Sequence, residues 1–385
     1  GQMGIRDRPR DIVEKEIETL MNKNISIEYG RALGRDMTIP DLMSDGFDAV
    51  FLAMGAHESW RLGLENEEVE GIFPSIEFLK EFNMRGNELA RGHVGIVGGG
   101  NSAVDAARVA LRQKDVTGVT LFYRRTRDEM PAYEEEIEAA LEEGVRIETL
   151  ISPVKIHVRQ EEIEAAIREG VELETLVSPI KIHAREGRLT GIECVRNRLG
   201  EVDATGRRTP VPIPGSEFSV DLDTLIVAIG ERPSSRALAS MGLEVDKGGR
   251  VKADRKTLET SIKGVFAGGD LVTGPNTVID AVASGKKAAL VIDRYLSGRP
   301  LVEPAKPKLP EVYIEPAVHE ESEETPLRAV PASLPPSERV KNFREVESAL
   351  TEGQARTESR RCRRCDLAFT MEKPAGAAMG GVRHD

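Results

Sequence analysis

The 385-residue sequence predicts an α/β fold in which one βαβ unit is set inside another, with an irregular tail at the C-terminal end. Three observations predict it. A glycine-rich turn joins an apolar strand to an amphipathic helix within residues 93–125. Two apolar strands that each end in glycine, 48–55 and 224–230, bracket that unit. A third short strand, 264–270, ends in Gly268-Gly269-Asp270 and leads into a long helical run, 277–296.

The central unit reads HVGIVGGGNSAVDAARVALRQKDVTGVTLFYRR. Val94, Ile96 and Val97 form its first strand, and Ala103, Ala107, Ala110 and Leu111 recur at the spacing of one buried helix face. Residues 119–123 supply a second strand. Gly98-x-Gly100-x-x-Ala103 therefore stands in the setting of the dinucleotide-binding fingerprint. Gly98 permits a tight turn, Gly100 lets backbone approach a pyrophosphate, and Ala103 lets helix pack on strand. Gly98, Gly99, Gly100, Asn101, Ser102 and Ala103 are the candidate pyrophosphate-binding residues, at the N-terminus of the helix. The second strand ends without a carboxylate: Tyr123 is followed by Arg124 and Arg125. Forked donors suit a 2′-phosphate better than a ribose hydroxyl, which favours NADPH over NADH. The competing reading is a solvated charge pair at a strand end.

Composition bounds the rest. An apolar share of 39% is enough for a sizeable core, and a net charge of −12 argues against nucleic acid as the main partner. With no apolar run of membrane-spanning length and no charged-then-apolar leader, a cytoplasmic protein without a membrane span is expected. Cys194, Cys362 and Cys365 make no disulfide framework, and they are too few for an iron–sulfur cluster held wholly by cysteine. The chain opens at Gly1 in mid-pattern, as a fragment or processed product would.

In the flanks, 11–21 has helical spacing, 25–29 alternates like a strand, and 39–43 suits a short helical turn. Gly55 closes the run DAVFLAMG, where small residues either admit a ligand or make a strand-to-loop turn. Gly230 closes TLIVAIG in the same manner. Asp270, after two glycines, can reach polyol hydroxyls, and the helix start at Thr277 and Val278 can face partial negative charge. That pair suits a flavin better than a second nicotinamide. The alternative is an aspartate that begins a turn. Ile279, Val282, Ala289 and Ile292 are the expected packing residues of the long helix.

Between the strands lies a tandem repeat. EEIEAALEEGVRIETLISPVKIHVR from Glu135 is echoed by EEIEAAIREGVELETLVSPIKIHAR from Glu161, a period of 26 residues. Each copy reads as a helix capped by Gly144 or Gly170 followed by strand, and two copies are too few for a solenoid. His157 and His183 take equivalent polar strand positions and are not read as metal ligands. Beyond Pro300 the chain is Pro- and Glu-rich; 343–356 suits a short amphipathic helix, and RRCRRCD reads as a basic tail that docks on a partner.

With GGGNSAVDAAR, LFYRRTRDEMPA and VFAGGDLVTGPNTVIDAVASGKKAA in this order, the chain resembles the glutamate synthase small subunit and its relatives, a family of two-dinucleotide-binding-domain flavoproteins. The resemblance runs from about Pro9 to Leu296. It implies a Rossmann-like NAD(P)-binding domain inserted in a partial FAD-binding Rossmann-like domain. The divisions are 1–90 (first part of the FAD domain), 91–219 (NAD(P)H domain with the repeat), 220–300 (second part of the FAD domain) and 301–385 (linker and tail). It also implies NADPH or NADH on the GGGN loop and FAD near Asp270, Thr277 and Val278. Hydride would pass from nicotinamide to flavin, and electrons would leave to iron–sulfur centres of a larger redox partner. The family's first βαβ unit does not occur in this sequence, so an N-terminally truncated member with part of a flavin site is expected. The alternative is a non-catalytic subunit with a vestigial nucleotide site that docks in a larger redox complex.

Overall fold

The computed structural model describes residues 10–302 except 22–23, 127–129, parts of 133–144, 149–175, 204–205 and 235, together with parts of 329–344 and residues 348–360. The chain divides into two compact units, Gly1–Glu303 with Pro335–Glu345, and Pro304–Leu334 with Val346–Asp385. In the first unit the described elements run α1 (Arg10–Leu20), α2 (Ile39–Ser44), β1 (Val50–Leu52), β2 (Glu58–Ser59), β3 (Ile72–Pro74), α3 (Ser75–Arg85), β4 (Gly92–Val97), α4 (Asn101–Leu111), β5 (Val116–Phe122) and β6 (Arg146–Glu148). They continue with β7 (Val177–Arg185), β8 (Arg188–Val202), β9 (Arg208–Pro212), β10 (Phe218–Asp221), β11 (Thr224–Val227), β12 (Glu231–Arg232), α5 (Arg236–Ser240), β13 (Val265–Ala267), α6 (Asp270–Thr273) and α7 (Val278–Leu296).

The central sheet is parallel, in the order β3-β11-β4-β5-β6. A parallel sheet must be covered on both faces, and its middle strands are accordingly almost wholly apolar. On one face Val94, Ile96, Leu121 and Ile226 pack against Phe78 and Leu79 of α3 and the alanines of α4. On the other, Val97, Phe122 and Leu225 pack against Ile182, Leu189, Ile192 and Cys194 of the antiparallel β7–β10 layer. The sheet draws β3 and β11 from outside 91–219, because the apolar run at 224–227, buried throughout, fits between β3 and β4.

A second core joins segments from either side of that sheet in sequence. Ile39, Val50 and Leu52 meet Leu238, Leu243, Val251, Val265, Ala267 and Leu271. Within it β1 and β13 pair in parallel, Val50 with Val265 and Leu52 with Ala267. The two crossovers between the cores run side by side as the antiparallel pair β2·β12. There Arg232 bonds Glu58 at 3.2 Å and lies 4.6 Å above the Trp60 ring.

Several expectations are corrected. Residues 25–29 form no strand; Ile25, Ile27 and Tyr29 are exposed, and a strand forms only against a partner. The long helix buries Ala288 and Val291, with Ser284 on Gly268 and Tyr295 edge-on to Phe266 at 5.5 Å. Ile279 and Val282, expected in the core, are 80% and 52% exposed. Both faces satisfy helical periodicity, and the small Gly268 decides which one packs. In the second unit the helix expected at 343–356 begins at Glu352 and runs to Arg360, because Thr351 and Gln354 cap it. Of the repeat, β6 and Glu143 of the first copy and β7 of the second are described; Gly144, Gly170, His157, Cys362 and Cys365 lie outside the described residues.

Glu143 is fully buried and takes the guanidinium groups of both Arg108 and Arg112, anchoring the last turn of α4. Removing one member of such a group strands a buried charge. We expect Glu143→Ala to destabilise the chain by about 3 kcal/mol in chemical denaturation. The helix register is checked in the same assay: Val291→Ala should cost about 2 kcal/mol and Val282→Ala less than about 0.5.

Candidate nucleotide-binding site

The glycine turn follows β4 directly. Its position is set by two backbone bonds, Gly98 N–H to the Phe122 carbonyl at 3.0 Å and Ala228 N–H to the Val97 carbonyl at 2.8 Å. Gly98 has φ +148, and a Cβ there would overlap the Ala228 carbonyl oxygen. A Cβ on Gly99 would lie 2.5 Å from the Tyr123 ring. These two glycines are required by the protein's own packing. Gly100 is different. It has an ordinary φ of −92, caps α4 without a side-chain bond, and a Cβ there would meet nothing nearer than Pro131 at 3.8 Å. Its bareness leaves room at a helix N-terminus that carries no acidic residue in its first turn.

The segment after β5 folds back over this turn, with Ala132 N–H bonded to the Gly99 carbonyl at 3.2 Å. Asn101 and Ser102 open α4, and Ala103 is fully buried, packing helix on strand. Arg124 is exposed at the strand end, whereas Arg125 turns inward and is 4% exposed. Arg125 donates through Nε to the Arg208 carbonyl at 2.6 Å and through Nη2 to Asp203 at 2.8 Å. Its expected part in holding a 2′-phosphate beside Arg124 therefore meets donors already engaged with the β8–β9 hairpin. Part of the Arg124 side chain packs on protein; that burial, followed by the cations of Arg125 and Arg207, lowers its pKa.

Gly230, with φ +119, follows β11 next to the same turn and accepts a bond from Trp60 N–H at 2.9 Å. The β1·β13 pair brings Gly55 and Gly269 to one end of its strands, both in the left-handed region at φ +72 and +62. Gly269 N–H donates to Ser284 at 3.0 Å. Asp270 begins α6, and its carboxyl is raised above the usual range by partial burial, with Asp280 adding and Asn276 and His57 opposing. Thr277 caps α7 by accepting Asp280 N–H, which leaves Val278 at the helix start, exposed. The predicted residues thus fall into two groups at the carboxyl ends of parallel strands, where open α/β sheets hold ligands.

Ala228, Tyr123, Pro131, His57 and Ser284 border these groups without having been singled out. Ala228 and Tyr123 are adjacent to predicted strand ends, but only pairing puts them against the glycines. Cys194 is buried in the β8 layer, and burial, followed by Glu193, pushes its thiol up to about 12. Among the described residues, no group of His, Cys, Asp and Glu could hold a metal ion, and no helix is long and apolar enough to cross a membrane.

The profile described as pyridine nucleotide-disulphide oxidoreductase matches residues 6–285. The chain belongs to that family. The family match agrees with the expected α/β class. The chain is 38% identical over 365 residues to the NADP(+)-dependent formate dehydrogenase subunit beta of Moorella thermoacetica, covering 93% of this chain and 48% of that one. To the glutamate synthase [NADPH] small chain of Escherichia coli (strain K12) it is 32% identical over 302 residues, covering 74% and 58%. It spans about half to three-fifths the length of these relatives. In fold it is similar to FprA of Mycobacterium tuberculosis in complex with NADPH, with a TM-score of 0.57, 18% identity and coverage of 75% and 71%.

The thiol shift gives a direct check on the β8 layer. At pH 8 the native chain should leave Cys194 unalkylated by iodoacetamide, while denatured chain is labelled fully, as read by peptide mass mapping.

Proposed function

We propose that this chain is the electron-input part of a flavin-dependent oxidoreductase complex, taking reducing equivalents from NADPH. The observation that carries the reading is Gly100. Neither its backbone angles nor its neighbours demand glycine, yet it stands bare at the entrance to α4. The demand comes from outside the protein, from a group whose pyrophosphate must touch backbone.

In this reading Gly98 and Gly99 shape the turn, and Gly100 with the first turn of α4, Asn101 and Ser102, receives the pyrophosphate. Ala103 keeps the helix close to the sheet. Arg124 grips the 2′-phosphate, while Arg125 adds positive charge from behind and holds the hairpin. Gly230 and Gly55 leave the strand ends bare, so two flat rings could approach each other there. Gly269 and Asp270 would hold the ribityl or phosphate part of FAD, and the Thr277–Val278 helix start would face its pyrimidine edge. A flavin supplies hydride acceptance and single-electron release, which no side chain here can. The chain's own task is alignment and exclusion of water, so no acid–base residue is assigned.

That two relatives are named as a beta subunit and a small chain supports a larger redox partner, with electrons leaving to iron–sulfur centres there. Glutamate synthase-like use of those electrons is one form of this proposal.

Gly100→Ala separates ligand from fold. Its melting temperature should stay within about 2 °C of the unaltered chain, while NADPH binding in calorimetric titration falls by at least about tenfold. Arg124→Ala should weaken NADPH about tenfold and NADH less than about twofold. Intact NADPH affinity in Gly100→Ala would refute the site.

A further inference from the structure

The hairpin between β8 and β9 brings a second arginine pair, Arg207 and Arg208, to the end of β5. It is fastened there by one carboxylate. Asp203 accepts from Arg125 through Oδ2 at 2.8 Å and from the Arg207 N–H through Oδ1 at 3.2 Å. The hairpin's own backbone closes the arrangement, with Asp203 N–H on the Arg207 carbonyl at 2.7 Å and Gly206 N–H on the Asp203 carbonyl at 2.9 Å. Arg125 in turn holds the Arg208 carbonyl at 2.6 Å. The position of Arg207 along the backbone is therefore tied to Arg125, and through it to Arg124.

One carboxylate thus holds the Arg125 guanidinium and the Arg207 backbone N–H, beside Arg124 in the chain. Arg124 is exposed and Arg207 half-buried, and the bonds from Arg125 to Asp203 and to the Arg208 carbonyl bring the hairpin carrying Arg207 to the strand end that carries Arg124. Guanidinium forks bind phosphate in pairs, and the hairpin brings a second fork to the strand end that carries Arg124.

We propose that Arg207, carried on the β8–β9 hairpin, joins Arg124 in gripping the 2′-phosphate of NADPH and so sets the preference over NADH. The assignment rests on the NADPH reading of the glycine turn. Arg125 then serves as the strut that aligns the two gripping residues from within.

The test uses the whole chain and two probes, adenosine 2′,5′-bisphosphate and 5′-AMP, titrated by calorimetry. Arg207→Ala should weaken the bisphosphate about tenfold and leave 5′-AMP within about twofold, with an unchanged melting temperature. Arg207→Glu should weaken the bisphosphate further, and the affinity difference between the probes should shrink as salt is added. Bisphosphate binding untouched in Arg207→Ala, while Arg124→Ala weakens it, overturns the assignment alone. Binding of neither probe by the unaltered chain overturns the nucleotide reading and this assignment with it.

Discussion

Among the described glycines, the tightest approach of backbone is that of the Ala228 carbonyl to Gly98. No side chain fits between them, so β4 and β11 can lie side by side to their very ends. That contact joins residues far apart in the chain. It places Gly230 beside the glycine turn, and it determines which strand ends face the candidate nucleotide site. The turn is therefore a packing requirement at Gly98 and Gly99, and at Gly100 alone it is a candidate binding feature.

The same economy of small residues recurs in the second core. Gly268 lies under Ser284 and Phe51, which seats α7 on β13 and leaves Gly269 and Asp270 at the strand end. Two cores, each ending in bare backbone, are joined by the β2·β12 crossovers, where Arg232 stacks on Trp60. Buried polar groups then adjust the details. Glu143 fixes the far end of α4 through two arginines, and Asp203 fixes a hairpin through a third. The buried Glu143 is satisfied by charged hydrogen bonds, as a buried ion must be, and the partly exposed Asp203 takes one from Arg125.

Much of this was legible from local pattern. The strand, turn and helix around Gly98 announce themselves because apolar period and glycine spacing are properties of neighbouring residues. The glycine-ended strands at 48–55 and 224–230 were legible for the same reason. What failed were questions of partnership. Ile25 to Tyr29 alternate well but find no strand to pair with among the described residues. Ile279 and Val282 have helical spacing, yet the face carrying Ala288 and Val291 is the one that packs. Arg125 looks identical to Arg124 in sequence and differs from it entirely in burial.

Residue order alone was enough to read the α/β class, the nested arrangement of glycine-ended strands and the chemistry offered at the turn, since each depends on short-range spacing and backbone freedom. Long-range packing settled that 224–227 enters the central sheet, which side of α7 is buried, and that Arg125 turns inward while Arg124 stays exposed. Those outcomes depend on volumes and charges contributed by residues distant in the chain. A carboxylate at Asp203, far along in sequence, is what separates the inward arginine from the outward one.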